Sequence, residues 1–421
     1  MPFRETVVTG VGIVSPIGIG REAFRASFLS GTGGVGPITQ FDPSGLPIRS
    51  AGEVRNFDAK RFVPQRKSLK VMARDAQLGV AAALLAVQDA GIDSAAVAPA
   101  RFGVVLGADR ICGSLEDSEA AYRACIVNGR FDFTRWAAEG MAATFPLSFL
   151  KVLPNMIASH ISIVLDARGP NNTIHHGEVS SLLAVIEGSL LIERGLADVV
   201  LVGGAASEMT PFDWVRFAVL GRLSARADQD GRAPRPFDRM RDGEVRGEGA
   251  VIVVLEREKH ALARGSKILG RIRGGGRVFH RAAKDDGVFE AVARAVHVAL
   301  QDAEANPRSL GHVNADGRAT HQEDIWESRA LAETLPEVPV TAPKSFFGNA
   351  GAATGAMELA ASLILAAEKT VPQTLHHEFP DPRCPVEVVT VGDYRTDRNL
   401  FLSLNYTTAG QAAAVVVETT V

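Results

Sequence analysis

The chain reads as an α/β protein layered around a mostly parallel sheet, on three observations. Short apolar runs alternate with longer alanine-rich stretches, the two kinds have strand and helix lengths respectively, and glycine recurs where the short runs end. The first strand is expected across Val7–Val14, apolar enough to be buried, with Gly10 and Gly12 allowing a close backbone neighbour. A helix follows over Asp75–Ala90, then a strand at Phe102–Leu106 ending on Gly107. Asn172–Ile174 leads through a small-residue turn into a helix at Ser180–Arg194, and Val199–Val202 is a strand closed by Gly203 and Gly204. Ala250–Leu255 is the next strand and Phe289–Ala303 the next helix. Val338–Thr341 then enters a second small-residue turn before a helix at Gly355–Ala367, and Leu400–Leu404 closes the series. The two strand–turn–helix passages at 172–193 and 338–367 share a rhythm that a duplicated α/β unit predicts.

Composition narrows the function. The 421 residues are 46% hydrophobic and 22% charged, ordinary for a globular chain of two or three domains or one large layered one. Lys plus Arg number 45 against 48 Asp plus Glu, a net charge of −3, so nothing marks the chain for nucleic acid or an anionic membrane surface. No apolar stretch approaches a membrane span, and the N-terminal residues contain no signal-peptide core; a cytoplasmic location is expected. Three cysteines, Cys112, Cys125 and Cys384, form no CxxC pair and suggest neither a disulfide framework nor a zinc site; each is read as a small buried apolar residue. Neither GxGxxG nor GxxxxGK[ST] occurs in the required context, and Gly274–Gly275–Gly276 is not read as a phosphate loop.

Eight blocks carry a family resemblance over almost the whole length. In order they are VVTGVGIVSPIG (6–18), GPITQFDPSGLP (36–47), LPNMIASHIS (153–162), GPNNTI (169–174), ADVVLVGGAAS (197–207), RPFDRMRDGEVRGEGA (235–250), NADGRAT (314–320) and KSFFGNAGAATGAMELA (344–360). Together they resemble the elongating β-ketoacyl-acyl carrier protein synthases of the thiolase superfamily. The resemblance implies a thiolase-like, five-layered αβαβα duplicated fold, usually dimeric, with halves expected at 1–255 and 256–421. It also implies fatty-acid or polyketide synthesis, an acyl carrier protein as partner, and no cofactor beyond that carrier's phosphopantetheine arm. A family cysteine would take the acyl chain, its thiolate favoured by a helix N-terminus. Two histidines would hold the malonyl thioester, supplying donors to the developing enolate.

This sequence departs from the family at all three positions. Glu178 stands where the nucleophilic cysteine is expected, Asp316 replaces the first histidine and Asn349 the second, while Lys344 and Glu327 match the family's supporting charges. Arg318 takes the place of a threonine expected to bond phosphopantetheine; Thr320 keeps the second, and Thr408 replaces the gating phenylalanine. Glu244 and Arg246 replace apolar residues of the central motif. The basic run containing Arg66, Lys67, Lys70 and Arg74 is expected to begin a helix with its charges outward, where the family meets its acidic carrier.

Three readings remain open from the residues. The favoured one is a non-condensing, chain-length-factor-like subunit, either homodimeric or paired with an active ketosynthase. A second makes Glu178 and Asp316 an acid/base pair sharing a proton, for dehydratase-like or hydrolase-like chemistry on an acyl thioester, or for malonyl decarboxylation. A third adds His175 or His176 to the carboxylates as a divalent-metal site, although successive strand residues face opposite ways. The site expectation itself contains no metal.

Overall fold

A computed structural model describes residues 3, 5–111, 113, 115–229, 231–281 and 287–420; Cys112 lies outside the described residues. Ten strands form the path of one continuous sheet: β1 Thr6–Ser15, β2 Phe102–Ala108, β3 Asn171–Ile174, β4 Val199–Ser207, β5 Glu248–Arg257, β6 Gly270–Phe279, β7 Leu310–Asn314, β8 Val340–Thr341, β9 Leu400–Tyr406 and β10 Gln411–Thr419. Six helices cover it: α1 Arg74–Asp89, α2 Met156–Leu165, α3 Ser180–Glu193, α4 Gly287–Asp302, α5 Glu323–Thr334 and α6 Thr354–Leu365.

The spatial order is β8-β7-β9-β10-β6-β1-β5-β4-β2-β3. Read outward from the middle, the first half runs 1-5-4-2-3 and the second runs 6-10-9-7-8, the same order with each strand's number raised by five. Among the described residues the two half-sheets are joined where Val7 and Val8 of β1 pair with Arg271 and Gly270 of β6. The helices repeat likewise: α1 and α4 follow the first strand of each half, α2 and α5 the second, α3 and α6 the third.

Three clusters of buried residues separate the layers. In β4, Val199 and Leu201 face α1 and α2, while Val200 and Val202 face α3 and α6. In β10, Val415 and Val417 face α3 and α6, while Ala414 and Val416 face α4 and α5. The two-residue alternation therefore supplies a helix layer to each face of each half-sheet, giving five layers with α3 and α6 between the two halves. Burial on both faces explains why the strands read as unbroken apolar runs.

The expectation of a mostly parallel sheet is corrected. β1 pairs antiparallel with β5 and β6, β5 with β4, β6 with β10, and β9 with β10; only β5's outer neighbours β4, β2 and β3, and β9, β7 and β8 at the other end, run parallel to one another. An apolar run carries no direction. The four-residue turn between β9 and β10 was the legible sign of an antiparallel pair.

Glycine in the central strands lets the outer helices approach. A Cβ on Gly12 would lie 1.9 Å from the carbonyl oxygen of Ala82 in α1, and one on Gly276 would lie 2.1 Å from that of Ala295 in α4. The Gly274–Gly276 run is thus a strand segment beneath a helix. Gly12→Val is expected to lower stability by at least about 3 kcal/mol, since backbone must move to admit the side chain. Urea unfolding checks it; a midpoint within error of the parent would contradict the close packing.

Candidate active site

The site gathers where parallel strands β3, β7, β8 and β9 end and the inner helices α3 and α6 begin. Past β3, Gly177 takes a left-handed conformation (φ 59°), and the turn Gly177–Val179 sets Glu178 just ahead of α3. There the helix N-terminus adds positive potential. Gly348 (φ 77°) and the turn Gly351–Ala353 bring Asn349 to the matching place before α6. Asp316 follows β7, and Lys344 opens a short helix after β8.

The residues picked from sequence do come together, joined by arginines. Asn349 Nδ2 lies 3.4 Å from Glu178 Oε1 and donates to Glu244 Oε2 at 2.7 Å. Arg318 bridges the two replacement carboxylates, with Nε on Asp316 Oδ2 at 2.5 Å and Nη2 3.5 Å from Glu178 Oε2. Its Nη2 also donates to the carbonyl of Tyr406, and its guanidinium lies 4.7 Å from that ring's centre. Lys344 Nζ donates to Asp316 Oδ1, which also accepts from Asn405 Nδ2 at 2.8 Å. Glu327 holds the turn by accepting from the backbone N–H groups of Asp316 and Gly317 at 2.6 and 2.9 Å.

A second guanidinium sits on the other side of Glu178. Arg246 Nη1 lies 3.8 Å from Glu178 Oε1 and 3.6 Å from Glu244 Oε2, while Nη2 pairs with Glu208. Its guanidinium stacks 4.4 Å above the Phe217 ring. A cavity of about 140 Å³ opens here, walled by Asp109, Glu178, Glu208, Arg216, Arg222 and Arg246 among others.

Electrostatics follows from this placement. Burial pushes the Glu178 carboxyl upward, but Arg318 and Arg246 outweigh it and bring the pKa to about 2. Burial likewise opposes ionisation of Asp316, and the charges of Arg318 and Lys344 hold it below the usual carboxylate range. Both carboxylates are therefore ionised at neutral pH. The proton-sharing pair expected from sequence is corrected: a guanidinium lies between the two groups, so neither pKa rises. Asp109 differs, since burial and then the charge of Glu208 raise it to about 8, and it accepts from the Ala352 N–H at 2.6 Å.

The remaining expectations divide. His175 Nδ1 bonds the Ala108 carbonyl at 2.9 Å, and among the described residues no three His, Cys, Asp or Glu side chains are placed so as to hold a metal ion. Arg318 supplies the positive charge between the carboxylates that the metal reading assigned to an ion. Thr320 is buried with its hydroxyl on Glu323. Thr408 lies half-buried in the β9–β10 turn, whose Thr407 passes close to Gly177. Arg66, Lys67 and Lys70 are exposed on a separate turn, Arg66–Val71, ahead of α1. Arg74 departs from the outward basic face: Nε and Nη2 each donate at 2.7 Å to buried Glu248, because an uncompensated carboxylate there would be costly. Cys125 and Cys384 are buried. Among the described residues no helix is long and apolar enough to cross a membrane.

Sequence reasoning missed Asp109, Glu208, Asn405 and Glu358. The signal for the first two was a carboxylate at the end of an apolar strand run, in GVVLGAD and VVLVGGAASE.

Comparison with known proteins places these residues in context. The family described as "Beta-ketoacyl synthase, N-terminal domain" matches residues 4–261, and "Beta-ketoacyl synthase, C-terminal domain" matches 275–378. The 3-oxoacyl-[acyl-carrier-protein] synthase 2 of Synechocystis sp. is 33% identical over 396 residues, covering 92% of this chain and 91% of that protein. The solved ishigamide ketosynthase/chain length factor superposes with a TM-score of 0.85 at 28% identity, covering 99% of this chain and 100% of that one. A type II polyketide-synthase acyl-carrier protein in complex with its ketosynthase bound to the hexaketide gives 0.83 at 26% identity, covering 100% of both.

Proposed function

Because the chain belongs to the β-ketoacyl synthase family and is a ketosynthase-like protein of fatty-acid or polyketide synthesis, we propose that it acts there as a non-condensing, chain-length-factor-like partner of an active ketosynthase. The observation that carries this reading is Glu178, a carboxylate ionised down to a pKa of about 2 and clamped by Arg318, Arg246 and Asn349, at the position to which the sequence resemblance assigns the family's nucleophile. A carboxylate attacking a thioester yields only a labile mixed anhydride. Where the family aims two histidines at an enolate, Asp316 offers an acceptor already taken up by Arg318 and Lys344, not a donor for the developing charge. An ionised Glu178 also cannot imitate a neutral thioester carbonyl, which weighs against malonyl decarboxylation. With both carboxylates ionised, neither Glu178 nor Asp316 has a proton to give as the acid of an acid/base pair.

A partner of the same fold fits the surface. β3 ends the sheet and pairs only with β2, leaving one edge unmatched among the described residues. The segment 115–163 exposes Phe133, Met141, Phe149 and Ile163. An open edge and exposed large apolar side chains are features that association covers. Exposed Arg66, Lys67 and Lys70 suit an acidic carrier protein.

The test incubates purified protein with malonyl- and 3-hydroxyacyl-carrier protein, alone and with a ketosynthase that has its Cys-His-His set, read by intact mass spectrometry. The protein alone should leave every carrier species unchanged, and its addition should alter chain length made by the ketosynthase. A condensed, decarboxylated or dehydrated product made by the protein alone, and lost in Glu178→Gln, would sink the proposal.

A further inference from the structure

Outside the network around Glu178, a buried carboxyl without a counter-ion lines a second cavity. Asp75 is 3% exposed, sits in the first turn of α1 and borders a cavity of about 250 Å³. This cavity shares no wall residue with the one at Glu178. Asp75 Oδ1 accepts from the Ala76 N–H at 2.7 Å. Among the described residues, no bond or ion pair reaches the carboxyl except from the first N–H groups of α1.

The cations in the walls are already engaged. Arg74 donates Nε and Nη2 to Glu248 at 2.7 Å each, and Lys151 Nζ donates to both oxygens of Asp117 at 2.9 and 2.8 Å. Glu248 also accepts from Gln40 Nε2 and Ser207 Oγ, both at 2.6 Å. Three wall residues thus converge on Glu248, and Asp75 feels the same group. Burial raises the Asp75 carboxyl to about 7 against the pull of the α1 N–H groups, and the charge of Glu248 adds to the rise. Lys151 and Asp117 cancel, and Asp75 with Glu248 outweighs Arg74, so an ionised Asp75 leaves the region one negative charge in excess.

The free bonding capacity has the same sign. Gln40 turns Nε2 to a carboxylate, which leaves Oε1 as an acceptor for a second partner. Asp75 offers acceptor oxygens. A ligand must therefore bring donors and positive charge, because a buried carboxylate is costly until a cation meets it. Met72, Ile111 and Met209 add an apolar side to the cavity, suited to a short hydrocarbon stem. The volume lies below the roughly 300–1,000 Å³ of sites for drug-sized ligands, so the ligand is small.

We propose that this cavity binds a small primary alkylammonium ion, its ammonium on the Asp75 carboxylate and its alkyl chain against Met72, Ile111 and Met209. The site does not depend on the role proposed around Glu178.

The test is isothermal titration calorimetry of the whole protein with n-butylammonium chloride, butan-1-ol and sodium butyrate, in salt of about 0.15 M to screen exposed charges. The three probes share a four-carbon chain and differ in charge. The ammonium should bind saturably, and the alcohol and the carboxylate should not. Asp75→Asn keeps the shape of the side chain and removes its charge, and should weaken ammonium binding at least about tenfold. The comparison of probes on the parent protein stands even where the variant fails to fold. No saturable heat with the ammonium up to about 10 mM, equal binding of butan-1-ol, or unchanged affinity in folded Asp75→Asn would overturn the proposal.

Discussion

Lys344→Met is expected to cost about 3–5 kcal/mol at neutral pH, the range for removing one partner of a buried ion pair. Lys344 is 1% exposed, donates to Asp316 and lies 3.8 Å from Glu358. Methionine fills the stem's volume but leaves Asp316 to Arg318 and Asn405 alone, and brings the second carboxylate, Glu358, no charge to replace the ammonium. Glu358 is already pushed up to about 8 by burial, so it adapts by staying protonated; Asp316, held low by two cations, cannot do so cheaply. The loss should shrink toward acidic pH as Asp316 takes a proton, and Lys344→Met with Asp316→Asn should recover most of it. Urea unfolding of the single and double variants measures both effects. A Lys344→Met protein as stable as the parent would show that the ammonium does not hold this cluster.

Stability should fall as pH rises from about 5 to 8, with Asp109 a main contributor. The unfolded carboxyl, with a pKa of about 3.9, has lost its proton in this window, whereas folded Asp109 keeps its own up to about 8 because burial and Glu208 disfavour the charge. The native state binds more protons, so the slope of stability against pH is negative, about 1.4 kcal/mol per pH unit for one such group. Asp109→Asn keeps an acceptor for the Ala352 N–H and should flatten that limb. Glu178 acts in the opposite direction. Its folded pKa of about 2 lies below the unfolded value, so its contribution is present at neutral pH and is lost as pH falls toward 2. Glu178→Gln should therefore soften the acid limb and leave the alkaline one. Denaturation midpoints measured from pH 2 to 9 separate the two; an alkaline limb unchanged by Asp109→Asn would contradict its placement.

What sequence could reveal depended on where the information sits along the chain. Helix positions were legible because α1, α3, α4 and α6 are long alanine-rich segments, and their ends moved by only one to a few residues. The meeting of Glu178, Asp316, Asn349 and Lys344 was legible through the resemblance that the motifs carry to the family. The guanidiniums that decide their charge were harder to place. Arg318 was noticed as an obstruction and Arg246 as an anomaly, but a bridge between Asp316 and Glu178 joins residues from opposite halves, and no local pattern records it. Arg74 shows the converse: four basic residues in one run suggest a single surface, yet its partner Glu248 lies far along the chain on β5. Strand direction was lost for the same reason, since β1 finds its neighbours β5 and β6 only after most of the first half has been made.

The repeated strand order also bears on how the chain acquires its shape during synthesis. All five strands of the first half-sheet precede Gly270, so a ribosome delivers that sheet as a unit. Its inner helix α3, however, is packed between both half-sheets, and the side chains covering its far side belong to β10 and α6. Until those emerge, the nascent half presents an apolar helix to water, the kind of surface that chaperones bind and that aggregates when left open. β10 is the last of the ten strands to be translated, yet it lies inside the sheet between β6 and β9. Completion of the second sheet therefore waits on a contact between distant parts of the chain, and closing so long a loop is slow.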